Sequence, residues 1–307
     1  MSDARPVGQR GALAVMLRAL KLPTILDHAE RVGARALSEG WGYEEYLNHL
    51  CEMEVAERKR RRIERYLKES ELPREKSDAT LQRKKLPVSV ARMYGTLCDG
   101  EWVDRAENLL IFGLPGRGKT HLACAIGHEL VRREHRVLFI ATYALVQRLL
   151  QAKRDLKLER LLSELDVFDV VMLDDIGYVQ QSREEMEVLF TFLAERYERR
   201  SVVITSNLVF SEWGKIFKDE MTTAAAIDRV VHHSIILEMS NRSVRAEHAE
   251  AAQRQATQGG SATTTNPTTT TPTATTTTLS TPSAHAENPK ENSEQMTPPS
   301  ARQDGEV

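Results

Sequence analysis

At 307 residues and 41% hydrophobic content, the chain is long enough for two domains and apolar enough to bury a core in at least one of them. Its cysteines, Cys51, Cys98 and Cys124, are odd in number and widely spaced, which argues against a disulfide framework or a zinc site and suits a reducing cytoplasm. No apolar run reaches the length of a membrane span, and a formal net charge of −2 hides an uneven distribution.

From Gly11 to about Leu72 the apolar residues recur at helical spacing: Leu13, Met16, Leu17 and Leu20, then Ile25, Ala29, Val32 and Ala36. Gly40 and Gly42 around Trp41 interrupt the period, and Tyr43, Tyr46, Leu47, Leu50 and Met53 resume it. This predicts a small all-helical N-terminal domain over 11–72. Its last helix carries Arg58, Lys59, Arg60, Arg61 and Arg62, and a connector over 73–89 continues the basic character. Between 58 and 92, thirteen Lys/Arg face five Asp/Glu. Such a concentration of charge suits a phosphate backbone, with little sequence preference because no base-reading motif accompanies it. The competing reading is a solvated helix face neutralised by local ion pairs.

From about 90 to 247, strand-like and helix-like runs alternate, the pattern of an α/β domain with a five-stranded parallel sheet. The strand-like runs are Asn108–Phe112, Arg136–Ala141, Val167–Leu173, Ser201–Thr205 and Ser234–Met239. The first runs into Gly113, Leu114, Pro115, Gly116, Arg117, Gly118, Lys119 and Thr120, a phosphate-binding loop between a strand and a helix. The glycines let successive backbone N–H groups close around a triphosphate, and Lys119 adds a point charge for the β- and γ-phosphates. Thr120 offers a hydroxyl to Mg²⁺, and the following helix aims its positive end at the same phosphates.

The third run ends in Asp174-Asp175, which places carboxylates at the ligand-binding edge of a parallel sheet. Asp174 is the expected Mg²⁺ residue, and Asp175 the one that orients or deprotonates an attacking water. Asn207, after the fourth run, is either a residue that senses the γ-phosphate or ordinary turn chemistry. Arg229 is either a surface partner of Asp228 or a finger that reaches a neighbouring subunit's nucleotide. A helix expected from Tyr143 to about Leu165 places Leu145, Leu149, Leu156 and Leu161 on a core-packed side. It also carries Arg148, Lys153 and Arg154, which form either a second DNA track or a solvated face. The histidines show no ligand spacing and read as structural. From 248 to 307 the chain becomes rich in Thr and Pro, a composition that predicts disorder.

Together these marks resemble an AAA+ P-loop ATPase, with Gly113–Thr120 as Walker A, Val170–Asp175 as Walker B, Asn207 at the sensor-1 position and Arg229 at the arginine-finger position. More narrowly the chain resembles the IstB family of ATP-binding transposition helpers encoded by insertion sequences, and is similar to the DnaC helicase loader. The carrying stretches are Gly118–Ala123, Leu173–Tyr178, Arg196–Arg199, Ile204–Leu208, Phe210–Gly214 and Asp228–His233. The resemblance implies a cytoplasmic, ATP- and Mg²⁺-dependent ATPase that assembles as a ring or helix on duplex DNA and recruits or activates a transposase. Where most AAA+ proteins have Asp-Glu, this chain has Asp174-Asp175, which implies slow hydrolysis. A replicative helicase loader shares these motifs and differs in its partner. A P-loop small-molecule kinase would need an acceptor site and a cationic lid, and a non-hydrolysing scaffold would bind ATP without releasing phosphate.

Overall fold

The computed structural model describes residues 7–176, 182–208 and 230–240, so Arg229 and the whole of 248–307 lie outside the described residues. The N-terminal residues form α1 (Val7–Ala19), α2 (Pro23–Glu39) and α3 (Tyr43–Glu69). Gly40, in the left-handed conformation at φ 71°, ends α2 and lets Trp41 N–H return to Ala36 O. Ile25, Val32 and Leu50 then form a small core that Leu17, Leu22, Trp41, Tyr46 and Met53 flank.

The start of α2 is completed from another helix. Pro23 has no N–H to satisfy, and the N–H groups of Thr24 and Ile25 donate to Glu54 Oε2 of α3 at 2.8 and 3.2 Å. Glu54 is 4% exposed, and Arg58 Nε donates to its other oxygen at 2.9 Å. Burial alone would push this carboxyl up. The Arg58 hydrogen bond and the two backbone donors outweigh it and hold the group below its ordinary value.

α3 does not stop at the small core. Ile63 and Tyr66 pack against the larger core, and just beyond the helix Leu72 is buried in it. Ser70 O accepts from Phe139 N–H at 2.8 Å, and Glu69 pairs with Arg136 at 2.9 Å. Two short 3-10 turns, Asp78–Thr80 and Arg83–Lys85, lead into α4 (Val88–Asp99) and α5 (Glu101–Asp104).

The larger core surrounds five parallel strands: β1 (Asn108–Phe112), β2 (Val137–Ala141), β3 (Val170–Ile176), β4 (Ser201–Ser206) and β5 (Ser234–Glu238), in spatial order β2-β3-β4-β1-β5. The connecting helices are α6 (Lys119–Arg132), α7 (Thr142–Arg154), α8 (Leu158–Asp166) and α9 (Arg183–Arg196). Strand residues alternate between two layers. Leu110, Phe112, Val171, Leu173 and Ile204 face the layer of α7, α8 and α9, while Leu109, Ile111, Met172 and Val203 face that of α4 and α6. The expected α/β P-loop core with a five-stranded parallel sheet is therefore present. No helix among the described residues is long and apolar enough to cross a membrane.

One expected helix is two. The run from Tyr143 to Leu165 breaks after Arg154, and Leu156, expected on the packed side, is 95% exposed with φ 56°. Its N–H bonds Lys153 O at 3.2 Å and the Lys157 N–H bonds Ala152 O at 2.8 Å, the pair of bonds that closes a helix through a left-handed residue. The base of this helical hairpin is fixed by Arg196, 2% exposed, whose guanidinium donates to the carbonyls of Leu165, Phe168, Asp169 and Ser201 at 2.9 to 3.2 Å. Burial pushes its pKa down to about 10, so it remains cationic at neutral pH.

Replacing Glu54 by Ala is expected to cost about 1–2 kcal/mol of stability at neutral pH through the lost cap. The folded carboxyl binds its proton less readily than the unfolded one, near 4.5. The difference in urea unfolding between wild type and Glu54→Ala should therefore be full above that value and shrink as pH falls through the lower folded value.

Candidate nucleotide-binding site

Parallel pairing brings the ends of three strands together. Phe112 lies opposite Ser206, and Ser206 opposite Ile176, so the phosphate loop, the two aspartates and Asn207 all emerge at one edge of the sheet. Gly113 leaves β1 at φ 153°, and a Cβ there would sit 2.7 Å from the carbonyl oxygen of Met239. Gly116 and Gly118 adopt φ 80° and 85°, so the loop turns its backbone through conformations that side-chain-bearing residues avoid. Leu114 and Pro115 are exposed, and Arg117 is partly buried. Lys119 is 8% exposed, and its ammonium donates to Gly113 O at 2.7 Å and to Leu114 O at 3.3 Å, which holds the charge over the loop. α6 begins at Lys119, so the positive end of its dipole lies at the loop.

Beside the loop, two threonine hydroxyls hold one carboxylate. Thr120 Oγ1 donates to Asp174 Oδ1 at 2.9 Å, and Thr205 Oγ1 donates to the same oxygen at 2.7 Å. The backbone of Asp174 is fixed as well, its carbonyl accepting from Thr142 Oγ1 at 2.9 Å. Hard oxygen donors from a hydroxyl and a carboxylate this close suit Mg²⁺, so Thr120 and Asp174 fit the metal position expected of them.

β3 does not end before the aspartates, as the sequence suggests; it continues through them with a bulge. Leu173 pairs with Ile204 and Ile176 with Ser206, so Asp174 and Asp175 together face Thr205. Asp175 is exposed at φ 62°, and its N–H donates to Thr205 Oγ1 at 2.8 Å. Thr205 thus accepts from one aspartate's backbone while donating to the other's side chain. The sequence gives Thr205 no function of its own; its only signal is the neighbouring Asn207. Asn207 Oδ1 is buried at the sheet edge with no hydrogen-bond partner among the described residues.

The expected basic residues divide into two groups. In α3, Arg58 pairs with Glu54, Lys59 and Arg62 with Glu134, Arg60 with Glu57 and Glu64, and Arg61 with Glu57. Arg60, followed by Arg61, holds the Glu57 carboxyl down at about 2. In α7, Lys153 pairs with Glu187 at 2.9 Å, while Arg148 and Arg154 are exposed and have no ion partner among the described residues. His121 Nε2 lies 3.0 Å from Thr80 Oγ1 and His128 Nε2 3.1 Å from Pro73 O, so both histidines hold the connector against α6. Glu198, His232 and His233 place one ligand atom each within 4.8 Å of one another at the surface, a grouping that their sequence spacing conceals.

A family profile described as IstB-like ATP binding protein matches residues 15–252. A protein of Sinorhizobium fredii (strain NBRC 101917 / NGR234), named as an insertion sequence ATP-binding protein, is 42% identical over 254 residues, spanning 82% of this chain and 85% of its own. One from Pseudomonas aeruginosa, named for the insertion sequence IS21, is 36% identical over 244 residues, spanning 78% of this chain and 91% of its own. Among solved structures, DnaI aligns at a TM-score of 0.47 and 22% identity over 55% of this chain and 95% of that one.

Thr205→Val keeps the β-branched shape but removes both hydroxyl bonds. Expected is a loss of about 1.5–3 kcal/mol in unfolding free energy, because one lost bond ends on an ionised group, together with a higher Mg²⁺ requirement for ATP binding. Thr205→Ser should restore both, as thermal unfolding and nucleotide titration would read.

Proposed function

This chain belongs to the IstB-like ATP-binding protein family, and from that membership we propose that it is an ATP-dependent DNA-binding helper of transposition. ATP held by Gly113–Thr120 supports stacking of subunits into a ring or helix on duplex DNA. That assembly recruits or activates the transposase of the same element, and hydrolysis to ADP and phosphate ends it. The observation that carries the ATPase part is the Thr120–Asp174–Thr205 cluster beside the loop, with the unpartnered Asn207 Oδ1 at the same sheet edge.

Each residue has a separate task. Lys119 and the loop N–H groups bind the phosphates, and Mg²⁺ between Thr120 and Asp174 would neutralise charge on the β- and γ-phosphate oxygens. Asp175 orients the attacking water and takes its proton as the bond from the γ-phosphorus to the bridging oxygen breaks, leaving ADP. Its side chain is one methylene shorter than glutamate, which makes hydrolysis slow. Asn207 Oδ1 accepts from the same water.

Arg229 acts on the neighbouring subunit's nucleotide. For DNA, the exposed Arg148 and Arg154, unpaired among the described residues, form the first track with Lys153. Arg58, Lys59, Arg60, Arg61 and Arg62 contribute where a phosphate displaces the carboxylate of an exposed ion pair, an exchange of low cost.

Electron microscopy with a slowly hydrolysed ATP analogue, with and without duplex DNA, tests the assembly: rings or helices requiring both ligands support it, and monomers throughout exclude it. Asp175→Asn should keep ATP binding and lose phosphate release. Arg229→Ala should keep ATP binding while assembly and hydrolysis fall at least tenfold. Normal hydrolysis by Arg229→Ala with DNA present would remove the trans-acting finger.

A further inference from the structure

Tyr197, Glu198, His232 and His233 have no part in the nucleotide chemistry. They lie where β4 begins at Ser201 and β5 at Ser234, whereas the phosphate loop follows the opposite end of the parallel sheet. Two pairs of residues 35 positions apart meet there. Tyr197 Oη lies 3.4 Å from His232 Nδ1, and Glu198 Oε1 lies 3.3 Å from His233 Nε2. The two imidazole rings stand edge to face with centroids 4.3 Å apart.

An exposed His–Glu ion pair accounts for only part of this arrangement, since it contributes little and leaves His232 without a task. Two imidazoles this close repel one another if both are protonated. As neutral bases they offer two nitrogen lone pairs beside a carboxylate. One ligand atom from each of Glu198, His232 and His233 lies within 4.8 Å of the others. Around a tetrahedral zinc ion, bonds of about 2.1 Å place neighbouring donors about 3.4 Å apart. The Glu198–His233 pair already has that separation, and side-chain rotation of the exposed His232 closes the remainder.

The side chains are exposed, but the backbone that carries them is fixed. Arg196, buried and bonded to four carbonyls, anchors the chain just before Tyr197, and its own carbonyl accepts from the N–H groups of Arg199 and Arg200 at 3.0 Å. On the other side, Val230 is buried and its carbonyl accepts from Asn108 Nδ2 at 3.2 Å, Val231 O accepts from Ser234 Oγ at 2.9 Å, and His233 O accepts from Asn108 N–H at 2.7 Å. Donors on rigid mounts lose little freedom when they close on an ion.

We propose that Glu198, His232 and His233 bind one Zn²⁺ ion. The Glu198 carboxylate, His233 Nε2 and His232 Nε2 are the ligands, and Tyr197 Oη accepts from His232 Nδ1–H, which fixes the tautomer of that ring. Imidazole nitrogen selects zinc over Mg²⁺, which prefers oxygen donors. Three protein ligands leave the fourth position to water. The ion ties the loop after α9 to the turn that enters β5, three residues after Arg229 in the sequence. The site stands independently of the transposition reading.

The test is calorimetric titration of the full chain with Zn²⁺ in excess Mg²⁺, paired with thermal unfolding with and without zinc. Wild type should bind one Zn²⁺ and melt higher in its presence. Glu198→Gln, His232→Ala and His233→Ala should each weaken zinc binding at least tenfold and lose most of the rise in melting temperature. Tyr197→Phe should keep the stoichiometry and bind about tenfold more weakly. Cys51→Ser, which removes the exposed thiol, should behave as wild type, and every variant should bind Mg²⁺–ATP as wild type does.

A wild type that binds no Zn²⁺ overturns the site, as does zinc binding that Glu198→Gln and His232→Ala both leave intact, because the ion is then held elsewhere. Loss of binding in Cys51→Ser, or competition by Mg²⁺ at equal concentration, overturns it as well. Should His233→Ala melt far below wild type without metal, Glu198→Gln decides, since its side chain is exposed and the amide keeps the same size.

Discussion

A carboxylate near the end of a buried strand is stable only if its charge is answered, and the nucleotide site is organised around how Asp174 is answered. Thr120 arrives from the first turn of α6 and Thr205 from near the end of β4, and both hydroxyls converge on one oxygen. The phosphate loop, β3 and β4 are thereby tied at a single point. Because Thr205 also receives the Asp175 N–H, the bulge and the charge cluster are parts of one hydrogen-bond network. A movement of the loop that shifts Thr120 is coupled to Asp175, three hydrogen bonds away in that network.

Much of this was legible in the sequence because it is local. β1 and the phosphate loop are contiguous, and the glycines, the lysine and the threonine are specified by spacing alone. The break at Gly40–Gly42 and the five strand runs follow from short-range period and turn chemistry. What was not legible depends on which distant segment arrives opposite. The bulge at Asp174-Asp175 exists only relative to Thr205, and the cap of α2 only relative to Glu54. The split of the expected 143–165 helix escaped notice because leucine is a strong helix former and seldom marks a left-handed turn.

The basic segments show the same limit in electrostatic terms. Counted along the chain, 58–62 of α3 is an unbroken basic run; counted in space, its cations meet Glu54, Glu57, Glu64 and Glu134. Glu134 is remote in sequence, so no window over α3 contains it. α7 carries fewer cations, yet it leaves Arg148 and Arg154 uncompensated among the described residues. Charge available to a polyanion is a property of the folded surface, and ion pairing within the chain redistributes it.

The close approach at Gly113 has a consequence for how the protein is made. The loop is walled on one side by Met239, whose N–H also donates to Phe112 O at 2.7 Å, and β5 pairs along the whole of β1. During synthesis the phosphate loop leaves the ribosome long before that strand does, at a pace of about 5–20 residues per second. Until β5 docks, the loop lacks the backbone that sets its exit from β1. The complete wall of the loop is therefore a property of the assembled sheet, present only once the last described strand is in place.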